Sequence, residues 1–151
     1  MVTATYATLD TLLSLIQRDL LLQLTDDDNA GDFFIRKKPT TAYKNIEAAI
    51  SEAQSIVDSY ISGRYRLPLD TPFPPLIVQI ASHLAICLLY DRRRELDVPE
   101  GIKDRRIRNM TLLKDIQNEK ASIPELRRPT PAVVLVSTPS REFSNSLLAK
   151  M

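Results

Sequence analysis

Apolar positions recur at three- and four-residue spacing through most of the chain. The longest stripe, Ile46, Ala49, Ile50, Ala53, Val57, Tyr60 and Ile61, predicts a helix that begins near Thr40 or Thr41. The same pattern ends it between Tyr60 and Arg64. It runs straight into Ser62-Gly63-Arg64-Tyr65-Arg66-Leu67-Pro68-Leu69. Gly63, just past the stripe, is placed for a sharp exit, and Pro68 excludes helix for Leu67. The pattern therefore predicts a helix, an abrupt exit and a rigid extended link into a second helix. Nothing in that link has the look of catalytic chemistry; it reads as a device for holding two helices at a fixed angle.

Three further helices follow from the same periodicity. Thr8 or Asp10 can cap a first one carrying Leu12, Leu13, Ile16, Leu20 and Leu24. Residues 26–39, polar and interrupted by Gly31 and Pro39, then predict a protruding loop. After Pro72 and Pro74, a helix is predicted over 76–94, with Pro75 suited to its first turn. That helix is apolar on nearly every side, through Leu76, Ile77, Val78, Ile80, Ala81, Leu84, Ala85, Ile86, Leu88 and Leu89. It must be either a central core helix or one sealed by a neighbouring subunit. A last helix starts after Asp97, with Pro99 and Glu100 in its first turn and Ile107, Met110, Leu113 and Ile116 as its inward residues, and runs to Asn118 or Lys120.

Beyond that point Pro124, Pro129, Pro131 and Pro139 exclude helix, while the β-branched run 132–136 reads as one strand. A lone strand needs a partner edge for its backbone groups, so this arm is built to lie against something else. The fold class is mainly α: a small bundle of about four helices with a protruding loop and an extended C-terminal arm. The division is a helical domain, 1–120, and an arm, 121–151.

Composition sharpens this. The chain has 151 residues, 44% hydrophobic and 26% charged, enough for one domain with a core. A formal net charge of +1 points to no obligate acidic partner. The single cysteine, Cys87, cannot form an internal disulfide. The opening residues lack a basic start followed by an apolar run, and no stretch is long and apolar enough to predict a membrane span.

Candidate chemistry is sparse. The run Asp26-Asp27-Asp28-Asn29-Ala30-Gly31-Asp32 places aspartates and a glycine as a calcium loop would at its first, third and sixth positions. Ala30 offers no ligand at the fifth, and Lys37 stands where a glutamate is required, so an acidic turn is the better reading. His83 and Cys87 share one helical face, but two ligands make no zinc site. With glycine confined to 31, 63 and 101, a phosphate-cradling loop is excluded, and no nucleophile, base and orienting group assemble. The expectation is no enzyme, no cofactor and no metal.

Basic residues cluster at Arg92-Arg93-Arg94, at Lys103, Arg105, Arg106 and Arg108, and at Arg127-Arg128. Cations at a helix C-terminus stabilise it, and Asp91, Glu95 and Asp104 are near as partners, so a solvated face is the simpler account. The alternative is a small DNA-binding or regulatory protein that uses the stripe 92–108. Tyr60 and Tyr65 read as core or hinge packing rather than platforms for bases.

The segment from Ile56 to Leu69, with Tyr60, Gly63, Arg64, Tyr65, Leu67 and Pro68 at its centre, resembles the signature of a phage Mu-like family long labelled as of unknown function. The likeness continues through Pro75-Leu76, Ile80-Ala81, Leu84 and Leu89-Tyr90-Asp91-Arg92-Arg93. It includes the opening Tyr6-Ala7-Thr8-Leu9, the later Leu24-Thr25-Asp26, and the ending from Ser137 to Ser144 with Leu147 and Leu148. In relatives the end of the last helix often carries a Gly followed by a Leu; here Asn118-Glu119-Lys120-Ala121 precedes Ile123, which leaves that helix's length and exit open.

The resemblance implies a structural head–tail connector, or adaptor, of a tailed bacteriophage or prophage. Such proteins ring the portal below the DNA-filled head, and a dodecamer is expected only because portals are dodecameric. The implied partners are further copies of the chain, the portal protein and the next neck or tail-terminator protein, with passive contact to DNA in the channel and none with membrane. The implied place is the virion neck, after assembly in the host cytoplasm. Another head or tail completion role would share the same helical body. On the residues themselves, Arg141, Phe143, Leu147 and Leu148 supply one cation and three apolar anchors near the end of the arm, the types that dominate interfaces. They are the candidate partner-binding group.

Overall fold

The computed structural model describes residues 4–126. Arg127, Arg128, the run 132–136 and the arm residues Arg141, Phe143, Leu147 and Leu148 lie outside them. In order, the elements are α1 (Leu9–Leu13), α2 (Arg18–Thr25), β1 (Phe34–Ile35), β2 (Lys38–Pro39), α3 (Thr41–Ile61), α4 (Pro75–Arg92) and α5 (Glu100–Gln117). The described chain is thus mainly helical, five helices and one antiparallel two-stranded ribbon.

The expected first helix is in fact two. Thr8 caps α1, its Oγ1 accepting from the Thr11 N–H while its own N–H donates to Thr11 Oγ1. Ser14 closes that helix after one turn, and Gln17 restarts the chain in extended geometry. Packing explains the break. Leu12, Leu21 and Leu24 are all fully buried. On one straight helix Leu12 and Leu21, nine residues apart, would face opposite ways, at about 100° per residue. Two short helices with a bend let both reach the core.

The apolar helix resolves as the central one. α4 begins with Pro75 in its first turn and packs against α1, α2, α3 and α5. Ile77, Ile80, Ala81, Leu84, Ala85, Ile86, Cys87 and Leu89 are all buried. Of the two origins that its all-round apolar surface allows, enclosure by the chain's own helices accounts for it. α3 runs alongside as the longest helix and buries Ile46, Ala49, Ile50, Ala53, Val57 and Ile61, the stripe that predicts it.

On α5 the inward face is narrower than the sequence suggests. Leu113 and Ile116 are buried and Met110 is half-buried, but Ile107 is 65% exposed. A series at steps of three drifts by about 60° per step, so Ile107 ends on the face opposite Ile116. After Gln117 the helix stops with Glu119 at φ 65°, and the Lys120 and Ala121 amides both donate to the Asp115 carbonyl. This left-handed position is the kind that glycine fills without strain. Glu119→Gly should therefore stabilise the protein by about 1 kcal/mol, the left-handed penalty less glycine's own entropy, read as a higher urea midpoint at unchanged slope.

Loop 26–39 is more ordered than a polar protrusion. Phe33 is buried, and the Asp26 carboxylate accepts from the Ala30 and Gly31 amides, which holds its carboxyl below the ordinary range. Asp27 is held low chiefly by its hydrogen bond from Arg92, with Asn45 and Arg93 adding to it. These contacts tie the loop to α3 and to the end of α4.

Candidate functional site

The family-like segment forms the turn after α3, and its side chains turn inward rather than presenting a surface. Ser62 ends α3 in ordinary helical geometry, and the Arg64 and Tyr65 amides both donate to the Ile61 carbonyl. Gly63 does not adopt a left-handed conformation, and a Cβ there would meet open space. The expectation that this glycine makes the sharp exit is thus corrected: main-chain hydrogen bonds to Ile61 tighten the turn. Leu67 packs half-buried against the core, Pro68 is exposed, and the Leu67–Pro68 peptide is cis. Tyr60 is half-buried on α3.

Arg64 and Tyr65 carry the chemistry of this turn. Arg64 is buried, and its Nη1 donates to the carbonyls of Ile116, at 2.6 Å, and Ala121, at 2.7 Å. A guanidinium thus caps the C-terminal end of α5, where unpaired carbonyls and the helix dipole favour a cation. Tyr65 is also buried, and its hydroxyl accepts from the Ile123 amide at 2.9 Å. The Tyr65 ring lies 5.8 Å from the Arg64 guanidinium. Two consecutive residues of the α3 exit therefore fasten the exit of α5, more than fifty residues later in the chain. Ile123 itself is buried, so the helical body extends past residue 120 through the start of the expected arm.

This fastening borders a cleft of about 340 Å³ lined by Tyr65, Arg66, Leu69, Pro72, Pro74 and Leu126. The last described residues, Glu125 and Leu126, form part of its wall. The described residues thus end beside this cleft.

The other candidates are largely consumed by the fold. Arg92 and Arg93 both pair with Asp27, and Arg92 and Arg93 also reach the Leu24 carbonyl. Arg106 pairs with Asp91 at 2.6 Å, and Lys103 approaches Glu100 at 3.5 Å. Of the stripe 92–108, only Arg94, Arg105 and Arg108 have no acidic partner among the described residues. His83 is half-buried with Nδ1 3.3 Å from the Asn109 amide nitrogen. Burial, then Arg105 and Arg108, hold its pKa below the ordinary value, so it favours the neutral imidazole. Cys87 is buried, which pushes its thiol up and away from the reactive thiolate.

Sequence reasoning missed the ribbon β1–β2 and the fastening role of Arg64. The ribbon had a faint signal, the apolar run Phe33-Phe34-Ile35 before Arg36-Lys37, but without the Asn-Gly that marks a tight hairpin. Arg64 had none, because its partners are main-chain carbonyls distant in sequence.

No helix among the described residues is long and apolar enough to cross a membrane. Comparison with curated proteins gives no match. The family described as Bacteriophage Mu, Gp36 matches residues 6–133, which takes in every described helix and the whole fastening between the α3 and α5 exits. The chain thus belongs to the Bacteriophage Mu Gp36 family and is a phage protein.

Proposed function

We propose that this protein is a structural head–tail connector, a non-enzymatic adaptor that forms a ring on the portal and links the head to the next neck or tail component. The observation that supports it is the fastening by Arg64 and Tyr65. It ties the exits of α3 and α5 into one body whose last described residues lie beside a cleft. A subunit of a ring needs such a body, together with an arm to engage a partner. Arg141, Phe143, Leu147 and Leu148 are the residues of that arm with the chemistry to anchor. In this reading the protein acts in the virion neck, after assembly in the host cytoplasm.

The test uses the full chain and the portal protein of the same phage. Mass photometry or negative-stain microscopy of the mixture should show a ring or a stable complex. Deletion of residues 130–151 should abolish that complex while far-UV circular dichroism stays nearly unchanged, since the described helices end at Gln117. A truncated chain that still binds the portal would remove the arm from the mechanism. A full chain that ignores the portal would remove the connector reading itself.

A further inference from the structure

The ribbon β1–β2 stands apart from the fastening of α3 and α5. Phe34 pairs with Pro39 and Ile35 with Lys38, so Arg36 and Lys37 form a two-residue turn at the tip. Both have positive φ, 50° and 64°. Such a turn normally carries Asn-Gly, because left-handed geometry is unfavourable for residues with long side chains. Here it carries two cations, and Lys38 follows as a third. All six residues of the ribbon are exposed, with Phe34 and Ile35 43% and 47% accessible.

The root of the ribbon is held by several contacts, and its aspartates already have partners. Phe33 is buried beneath the Arg18 guanidinium, which lies 5.6 Å from its ring, and Arg18 pairs with Asp32 at 2.8 Å. The Thr40 amide donates to the Phe33 carbonyl, and the Phe34 ring packs against Tyr43 at a 46° tilt, with centroids 4.5 Å apart. The acidic residues nearby are engaged: Asp26 by main-chain amides, Asp27 by Arg92 and Arg93, Asp28 by the Thr41 hydroxyl and Asp32 by Arg18. Arg36, Lys37 and Lys38 have no acidic partner among the described residues.

We infer that the tip of this ribbon is a sequence-independent contact for the phosphate backbone of duplex DNA. Three cations on a narrow, convex, two-stranded ribbon match a polyanion, and a ribbon of this width fits a DNA groove. The cores of protein interfaces are depleted in lysine, which argues against an acidic protein as the partner. Strained turn geometry held in place by a rigid root is the mark of a position kept for its side chains. The inference stands on the ribbon alone and does not rest on the connector reading.

The test is fluorescence anisotropy of the full chain with a labelled random-sequence duplex, over a salt series. The variant Arg36→Asn/Lys37→Gly/Lys38→Gln removes all three charges and installs the residues that suit the turn, so it should fold at least as stably as the parent. Each phosphate contact contributes about −0.9 to the slope of log affinity against log salt. The variant should therefore bind more weakly by about tenfold or more at low salt, with a slope shallower by nearly three. Arg105→Gln/Arg108→Gln should leave affinity and slope unchanged, and portal binding should be the same in both variants and the parent. Four results would overturn the inference: no salt-dependent binding by the parent, parental affinity and slope in the ribbon variant, loss of binding in the α5 variant, or polyglutamate competing as well as DNA at equal charge.

Discussion

Arg64→Met should destabilise the protein by about 3 kcal/mol, the range for losing two hydrogen bonds from a charged donor at a buried site. Methionine keeps much of the apolar stem, so the loss reports on the guanidinium and not on a cavity. The Ala121 carbonyl would lose this hydrogen bond, and the Ile116 carbonyl would keep only the longer one from the Glu119 amide; each lies within 2.7 Å of Arg64 Nη1 in the native protein. Urea unfolding should show a lower midpoint at unchanged slope. Tyr65→Phe removes the acceptor for the Ile123 amide in the same fastening. Because both residues hold one segment, the double variant should lose less than the sum of the two. An Arg64→Met protein within about 0.5 kcal/mol of the parent, the range of an ordinary surface change, would mean that α5 and the segment after it are held by packing alone.

Ile80→Ala should have the other large effect, a loss of about 3 to 4 kcal/mol from a residue that the core cannot readily collapse around. Ile80 is fully buried on α4, the helix that meets α1, α2, α3 and α5. Leu76→Ala, at a half-buried position on the same helix, should cost clearly less. The two proteins should unfold with midpoints independent of protein concentration, since the surfaces that enclose α4 belong to the same chain. A midpoint that rises with concentration for the parent, and a loss in Ile80→Ala that shrinks as concentration rises, would mean that a neighbouring subunit helps to seal this helix.

Much of the fold was legible because it rests on local periodicity. The stripe from Ile46 to Ile61 predicts α3 almost to the residue, and Pro75 marks the start of α4. The bounds of α5 are read correctly from Pro99, although its inward face is not. Two differences from the expected helices come from the same geometry. Ile107 and Ile116 are expected on one inward face although they are nine residues apart, and Leu12 and Leu21, which the folded chain buries together, are separated by the same nine residues. Geometry puts them on opposite faces, and packing then settles the matter differently in the two cases. The chain bends between α1 and α2 to bury both leucines, whereas straight α5 leaves Ile107 in water.

The family-like segment shows the same divide. Its pattern identified where α3 ends and which family the chain belongs to, and both hold. It also suggested that the segment works locally, as a hinge between two helices, with Gly63 making the exit. The folded chain gives Arg64 and Tyr65 a longer reach, to the end of α5 and to Ile123. Main-chain carbonyls and amides carry no residue identity, so a side chain that serves them leaves no complementary partner to find in the sequence. Charges behave likewise. The stripe 92–108 looks continuous when read along the chain, but folding brings Asp27 and Asp91 onto three of its arginines. The three cations at the ribbon tip acquire no such partner among the described residues.

By itself, the sequence determined what depends on neighbours a few residues apart: the helical class, the ends of α3 and α4, the burial of α4 and the family. Only the tertiary structure decided which long-range groups meet: the break between α1 and α2, the fastening of α5 by the α3 exit, the pairing of the basic stripe and the exposed cationic ribbon. Helix periodicity is set by backbone geometry every few residues, and so it is written locally. Hydrogen bonds and ion pairs between distant segments depend on where the packed helices place them, and that is fixed only when the core forms.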